Sequence, residues 1–161
     1  MTKHRQSAAL ALVVLFSGIG FWLGEAGWPP WRALPFVVAI VGSIAIALTF
    51  AGPQAIKASA GTAMIAVYAL TFFCGLASFA SAFNECVERG EEVRILLSEY
   101  HHSHSEYPET LNRLRSPIPC SRFTRSTLLT YERTTNGYTL SFHDWLVEHT
   151  ASEDRSFLAH K

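Results

Sequence analysis

The sequence predicts a membrane protein: three transmembrane helices followed by a small external α+β domain. Three observations predict it. Residues 1–83 carry four basic side chains (Lys3, Arg5, Arg32, Lys57) and one acid (Glu25), whereas residues 84–161 carry nine basic and twelve acidic ones. Within the first part, Ala8–Gly24, Ala33–Gly52 and Gly61–Phe83 are uncharged and mostly apolar. Within the second, Leu128–His143 alternates polar and apolar residues around Asn136-Gly137, the signature of a hairpin. The expected organisation is therefore an anchor over 1–83, with spans at about 8–24, 33–52 and 61–83, and an extracytoplasmic domain over 84–161.

A helix needs about 20 residues to cross the hydrocarbon at 1.5 Å per residue. The third stretch meets that length, the second just does, and the first is short unless it extends toward Trp28. Backbone groups left unsatisfied in lipid cost several kcal/mol each, so every span is expected to be helical. Trp22, Trp28 and Trp31, with Pro29 and Pro30, mark one interface, and Ala51-Gly52-Pro53 the next turn. Lys3, Arg5 and Lys57 favour the cytoplasmic side, which places the N-terminus in the cytoplasm and residues 84–161 outside it. The first span also has signal-peptide features, with Gly24-Glu25-Ala26 as a small-x-small cleavage pattern. Cleavage there would leave two spans and keep the C-terminal domain outside.

No ionisable residue falls inside the three stretches, which argues against a pump, channel or intramembrane hydrolase. Small residues recur at fourfold spacing instead: Gly20 and Gly24; Ala39, Ser43 and Ala47; Cys74, Ser78 and Ala82. Such stripes let helices approach closely within one bundle, and a homo-oligomer is left open. Gly20-Phe21-Trp22-Leu23-Gly24-Glu25 matches a prepilin cleavage pattern. It ends an apolar run instead of preceding one, so it is read as coincidence.

In the second part, Val93, Leu96, Leu97 and Tyr100 share a helical face over Glu85–His104, with Gly90 as a weak point. Tyr107-Pro108 is expected to end that helix, and Glu109–Arg115 to form a second short one carrying Leu111 and Leu114. With Asn136-Gly137 as the loop, Thr135 pairs with Tyr138, Arg133 with Leu140 and Tyr131 with Phe142. One face then carries Leu129, Tyr131, Tyr138, Leu140 and Phe142, as a half-buried antiparallel sheet requires. Trp145–Val147 is a candidate third strand, and Ser152 a candidate cap for a last helical turn. The expected domain core is Tyr100, Tyr107, Leu111, Leu114, Tyr131, Tyr138, Leu140 and Phe142.

From Leu96 to about Trp145 the chain resembles the periplasmic domain of type II secretion major pseudopilins and related pilin-like proteins. The residues that carry the likeness are Tyr100, then Glu106-Tyr107-Pro108-Glu109-Thr110-Leu111 with Leu114. They continue through Leu129-Thr130-Tyr131 to Gly137-Tyr138-Thr139-Leu140. The resemblance implies a long helix leaving the membrane, packed against a small sheet in the periplasm. It also implies a bacterial inner-membrane location with an envelope protein as partner; the multi-pass topology and the contact with membrane lipid are expected from the three apolar stretches.

Candidate chemistry is sparse. His101, His102 and His104, with Glu99, Glu106 and His143, form no complete metal-ligand spacing, and neither a metal nor a cofactor is expected. Ser141, His143 and Asp144 are near neighbours, but strand alternation points Asp144 away. Cys86 and Cys120 are the disulfide candidates, in a loop whose closure contributes about 4 kcal/mol. Spacing alone leaves open whether their Cα atoms come within about 7 Å. Zero net charge gives no electrostatic basis for binding nucleic acid. The functional expectation is a non-enzymatic protein presenting its domain for protein–protein contact. Two alternatives stand beside it: an immunity-type protein that blocks an envelope-acting toxin, and a metal-dependent enzyme using the histidines.

Overall fold

A computed structural model describes residues 3–27, 54–114, 116–135, 137–144 and 146–160. Among them, helix α1 covers Lys3–Gly24, with side chains described from Ala11 on except Leu12, and helix α2 covers Gln54–His104, followed by a single 3-10 turn at Leu111–Arg113. Strands β1 (Thr130–Thr134), β2 (Gly137–His143), β3 (Glu148–Ser152) and β4 (Leu158–His160) form one antiparallel sheet in chain order. The chain divides into two compact units, Met1–Ala77 and Ser78–Lys161.

The three-span anchor is corrected by the helices themselves. Among the described residues, one helix, over Ala63–His104, is long and apolar enough to cross a membrane, and Val13–Gly24 within α1 is a shorter apolar helix. The expected second span at 33–52, with its Ala39, Ser43 and Ala47 stripe, lies outside the described residues. A multi-pass inner-membrane topology, with a cytoplasmic N-terminus and a periplasmic domain, rests on three crossings and falls with them. What stands is an α+β domain attached to one helix of membrane-spanning length.

In the first unit, α1 crosses α2 at two glycines. A β-carbon on Gly24 would run into the Phe72 carbonyl and the Leu76 amide, and one on Gly75 into the Phe21 carbonyl and the Glu25 amide. Glycine on both helices is what lets these backbones touch. Gly24 belongs to the expected stripe, but its counterpart is Gly75 and not Cys74, which is free and exposed. Glu25, the one acid of residues 1–83, is fully buried.

The second unit is built on the last turns of α2. Phe79, Ala82, Cys86, Gly90, Val93 and Leu97 recur every three or four residues and form one buried stripe. Gly90 does not break the helix. Its missing side chain makes room for the Phe157 ring, which a β-carbon would approach to 2.8 Å. The helix ends at His104, and Ser105 takes the left-handed conformation (φ 59°) that commonly closes helices, two residues before Tyr107. Against the buried stripe lie Tyr107, Leu111, Leu128, Leu129, Tyr138, Leu140, Phe142 and Ala151.

Four local expectations change. The hairpin pairs Thr134 with Gly137, Arg133 with Tyr138 and Tyr131 with Leu140, two residues away from the expected register. A shift of two preserves strand parity, so Tyr138, Leu140 and Phe142 are still the buried face. Asn136, the expected first turn residue, lies outside the described residues, and Gly137 opens β2. The expected helix at 109–115 is only the 3-10 turn Leu111–Arg113, because Leu114 turns back to an extended conformation. The third strand starts at Glu148 and not at Trp145, which is also outside the described residues. Where a capped helical turn was expected after Ser152, Leu158–His160 instead pairs with Glu148–Thr150, because the open edge of β3 offers backbone partners that an isolated turn lacks.

Candidate functional site

Cys86 and Cys120 are joined by a disulfide, with Cα atoms 5.1 Å apart and no exposure on either side chain. Cys120 sits at φ 69°, a left-handed conformation that costs a non-glycine residue about 1–2 kcal/mol. The surroundings hold it there: its N–H donates to Glu85 Oε2 at 2.9 Å, and its carbonyl accepts the Leu128 N–H at 2.9 Å.

A polar clamp ties α2 to the far edge of the sheet. Arg94 is ion-paired to Glu91 at 2.7 Å and donates to the carbonyls of Ser152 and Glu153, each at 3.1 Å. Glu91 also accepts the Phe157 N–H at 3.1 Å. Burial pushes the Glu91 carboxyl up, but the Phe157 amide and the Arg94 guanidinium together hold it below the usual glutamate range. Burial raises the Tyr107 hydroxyl well above its ordinary value, and a hydrogen bond to the Glu153 carboxylate raises it further. Tyr138 is raised by burial against the opposing pull of Arg94. Tyr131 is also raised by burial, and its hydroxyl donates to the Pro108 carbonyl at 2.6 Å.

A lowered carboxyl pKa has a defined consequence. Its stabilisation is complete above the ordinary glutamate value of about 4.3 and is lost as pH falls through the depressed folded-state value. Thermal unfolding between neutral pH and pH ~3 should therefore cost the native chain more stability than it costs Glu91→Gln. Parallel curves for the two proteins would contradict this role.

The distal end of α2 forms one wall of an open groove of about 350 Å³. Leu96, Glu99, Tyr100, Ser103 and His104 follow the i, i+3, i+4, i+7, i+8 spacing of one helical face, and Arg113 and Leu114 close the other side. Tyr100 and His104 stack with ring centres 4.1 Å apart and planes 9° from parallel. Ser103 Oγ lies 2.7 Å from His104 Nδ1. Arg113 is paired with Glu109 at 3.2 Å on the rim.

The expected core residues therefore divide. Tyr107, Leu111, Tyr138, Leu140 and Phe142 are buried, and Leu114 and Tyr131 pack partly buried against them. Tyr100 lies outside that cluster and lines the groove. Sequence periodicity placed Tyr100 on a helix face but not on which side the sheet would sit. Five groove positions on one face were the available signal.

The candidate catalytic residues stay apart. His101 stacks on Tyr107 at 4.4 Å, whereas His104 belongs to the Tyr100 stack. His143 lies past Phe142 at the opposite end of β2 from Tyr138, which packs on Tyr107. Among the described residues no three His, Cys, Asp or Glu side chains converge for a metal ion. Asp144 caps a turn through Oδ1, which accepts the N–H groups of Leu146 and Val147 at 2.8 Å each. Ser141 sits within the sheet, paired with Thr130 and Thr150. No family model, no curated protein and no solved structure matches the chain.

Proposed function

We propose that this protein is a non-enzymatic, membrane-anchored display protein: α2 anchors it, and the disulfide-stapled domain binds an envelope protein through the Tyr100 groove. One observation carries the reading. Arg94 and Glu91 hold helix to sheet and Glu85 holds the Cys120 loop, while the groove wall that carries Leu96, Tyr100 and Leu114 is left open to solvent. Aromatic side chains with an arginine beside them are the usual makings of a protein-binding hot spot. The sequence resemblance to pilin-like domains agrees with this reading in outline, since it implies a long helix carrying a small sheet.

The test is co-purification of the full chain in mild detergent from its native cells. A partner is expected at fixed stoichiometry, and Tyr100→Ala or Leu114→Arg should weaken its binding at least about tenfold, the effect of a hot-spot residue. Retention of the partner by both variants, with the disulfide intact, would overturn the groove as the docking site. If the captured partner is a toxin, the immunity-type reading takes over; the groove prediction is then tested on that complex unchanged.

A further inference from the structure

We infer that the end of the second unit nearest Phe83 is a lipid-contact rim: Phe123 and Leu146 sit in the headgroup region of the bilayer that α2 crosses, and Arg122 and Arg125 meet anionic phosphates. The inference rests on the reading of α2 as a membrane-crossing helix.

The ordering along α2 comes first. β2 runs against the helix: Tyr138 lies at the level of Tyr107 and Arg94, and Phe142 packs on Phe83 with ring centres 5.6 Å apart. The β2–β3 turn, Asp144–Val147, therefore falls at the end where the apolar stretch of α2 finishes. The loop Cys120–Leu128 is fixed at the same end. Its base is bonded to Cys86 and hydrogen-bonded to Glu85, two or three residues and about 3–5 Å of helix past Phe83.

What these two loops expose is unusual for a soluble surface. Phe123 is 87% exposed and Leu146 68%, the highest values among the large apolar side chains of this unit, and Val87 at the same level of α2 is exposed as well. Arg122 and Arg125, both half-buried, flank Phe123 in a loop, Cys120–Leu128, that contains no acid, and Arg122 Nε donates to the Ser126 carbonyl at 2.8 Å. An anionic surface attracts this loop, whereas Asp144 beside Leu146 leaves the contact of the β2–β3 turn to the apolar side chain. An exposed aromatic flanked by arginines whose aliphatic stems can lie along the interface is the composition of a membrane–water boundary.

The test places the photoreactive residue benzoylphenylalanine in the full chain, in nanodiscs of phosphatidylcholine alone or mixed with phosphatidylglycerol. Phe123→benzoylphenylalanine and Leu146→benzoylphenylalanine are expected to form lipid adducts, detected by mass, and Thr135→benzoylphenylalanine at the far turn is expected to form none. Removing the anionic lipid, or introducing Arg122→Gln, should lower the Phe123 adduct by up to about fivefold. Leu70→benzoylphenylalanine, on the exposed side of α2, separates the two readings. Lipid adducts at 70 but not at 123 or 146 would overturn the rim alone. Their absence at 70 would overturn the membrane-crossing helix. Adducts from 123 to a second copy of the chain, or yields indifferent to anionic lipid, would also overturn the proposal.

Discussion

Phe142→Ala is expected to destabilise the second unit by about 3–5 kcal/mol, the cost of truncating a buried phenylalanine in a packed core. Phe142 is 1% exposed and touches three separate pieces of the fold. Its ring meets Phe83 of α2 edge-on at 5.6 Å, stacks on His149 of β3 at 4.7 Å, and lies 5.2 Å from Phe157 before β4. Removing it opens a cavity where helix, central strand and edge segment converge, so neighbours cannot collapse into the space without moving the sheet. Against a typical total stability of about 5–15 kcal/mol, such a loss is large. Urea titration of the full-length chain in detergent, read by proteolysis of the second unit, measures it. Phe123→Ala should shift the same curve by no more than about 0.5 kcal/mol, because that side chain is outside the core. If Phe142→Ala leaves nothing folded to titrate, Phe142→Leu should retain a measurable transition at lower urea. A Phe142→Ala midpoint equal to that of the native chain would contradict the packing described.

Removal of the disulfide is the second large effect. Cys86 and Cys120 are 34 residues apart in sequence, and a cross-link over that distance restrains the unfolded chain by about 4 kcal/mol in the loop-entropy treatment. The bond also restrains the left-handed Cys120 and the base of the loop that follows. Replacing both residues by serine, or reducing the native protein, should lower the unfolding free energy by about that amount and leave α2 helical. Native protein should show one alkylatable thiol, Cys74, before reduction and three after it. Unchanged stability on reduction would show that the bond is incidental to the fold.

The sequence made some of this legible and hid the rest for physical reasons. Alternation in Tyr138, Leu140 and Phe142 is a local property, so the buried face of β2 could be read even though the register is two residues off. The turn was misplaced because Asn136-Gly137 is the stronger turn dipeptide in isolation, whereas the pairing is settled by the whole sheet. The anchor was read from three apolar runs taken singly, whereas among the described residues one helix is long and apolar enough to cross a membrane. The close approach of Gly24 to Gly75 joins two distant segments, and no spacing rule connects them. Gly90 read as a helix weakness until Phe157, sixty-seven residues later, supplied the ring that fills its place. The groove depends on which side of α2 the sheet covers, a tertiary choice that the helical repeat of Leu96 and Tyr100 leaves undecided.

At the centre of the account is a single unbroken helix that leaves the apolar stretch, passes Gly90 and carries the sheet on one face. Spin labels at Ala80 and His102, both exposed, in a Cys74→Ser chain reconstituted in lipid nanodiscs, would measure it directly. Twenty-two residues of straight helix predict a narrow backbone separation of about 33 Å. A broad distribution, or one centred well below that distance, would mean that the helix breaks near Gly90 and that the domain is not built on it.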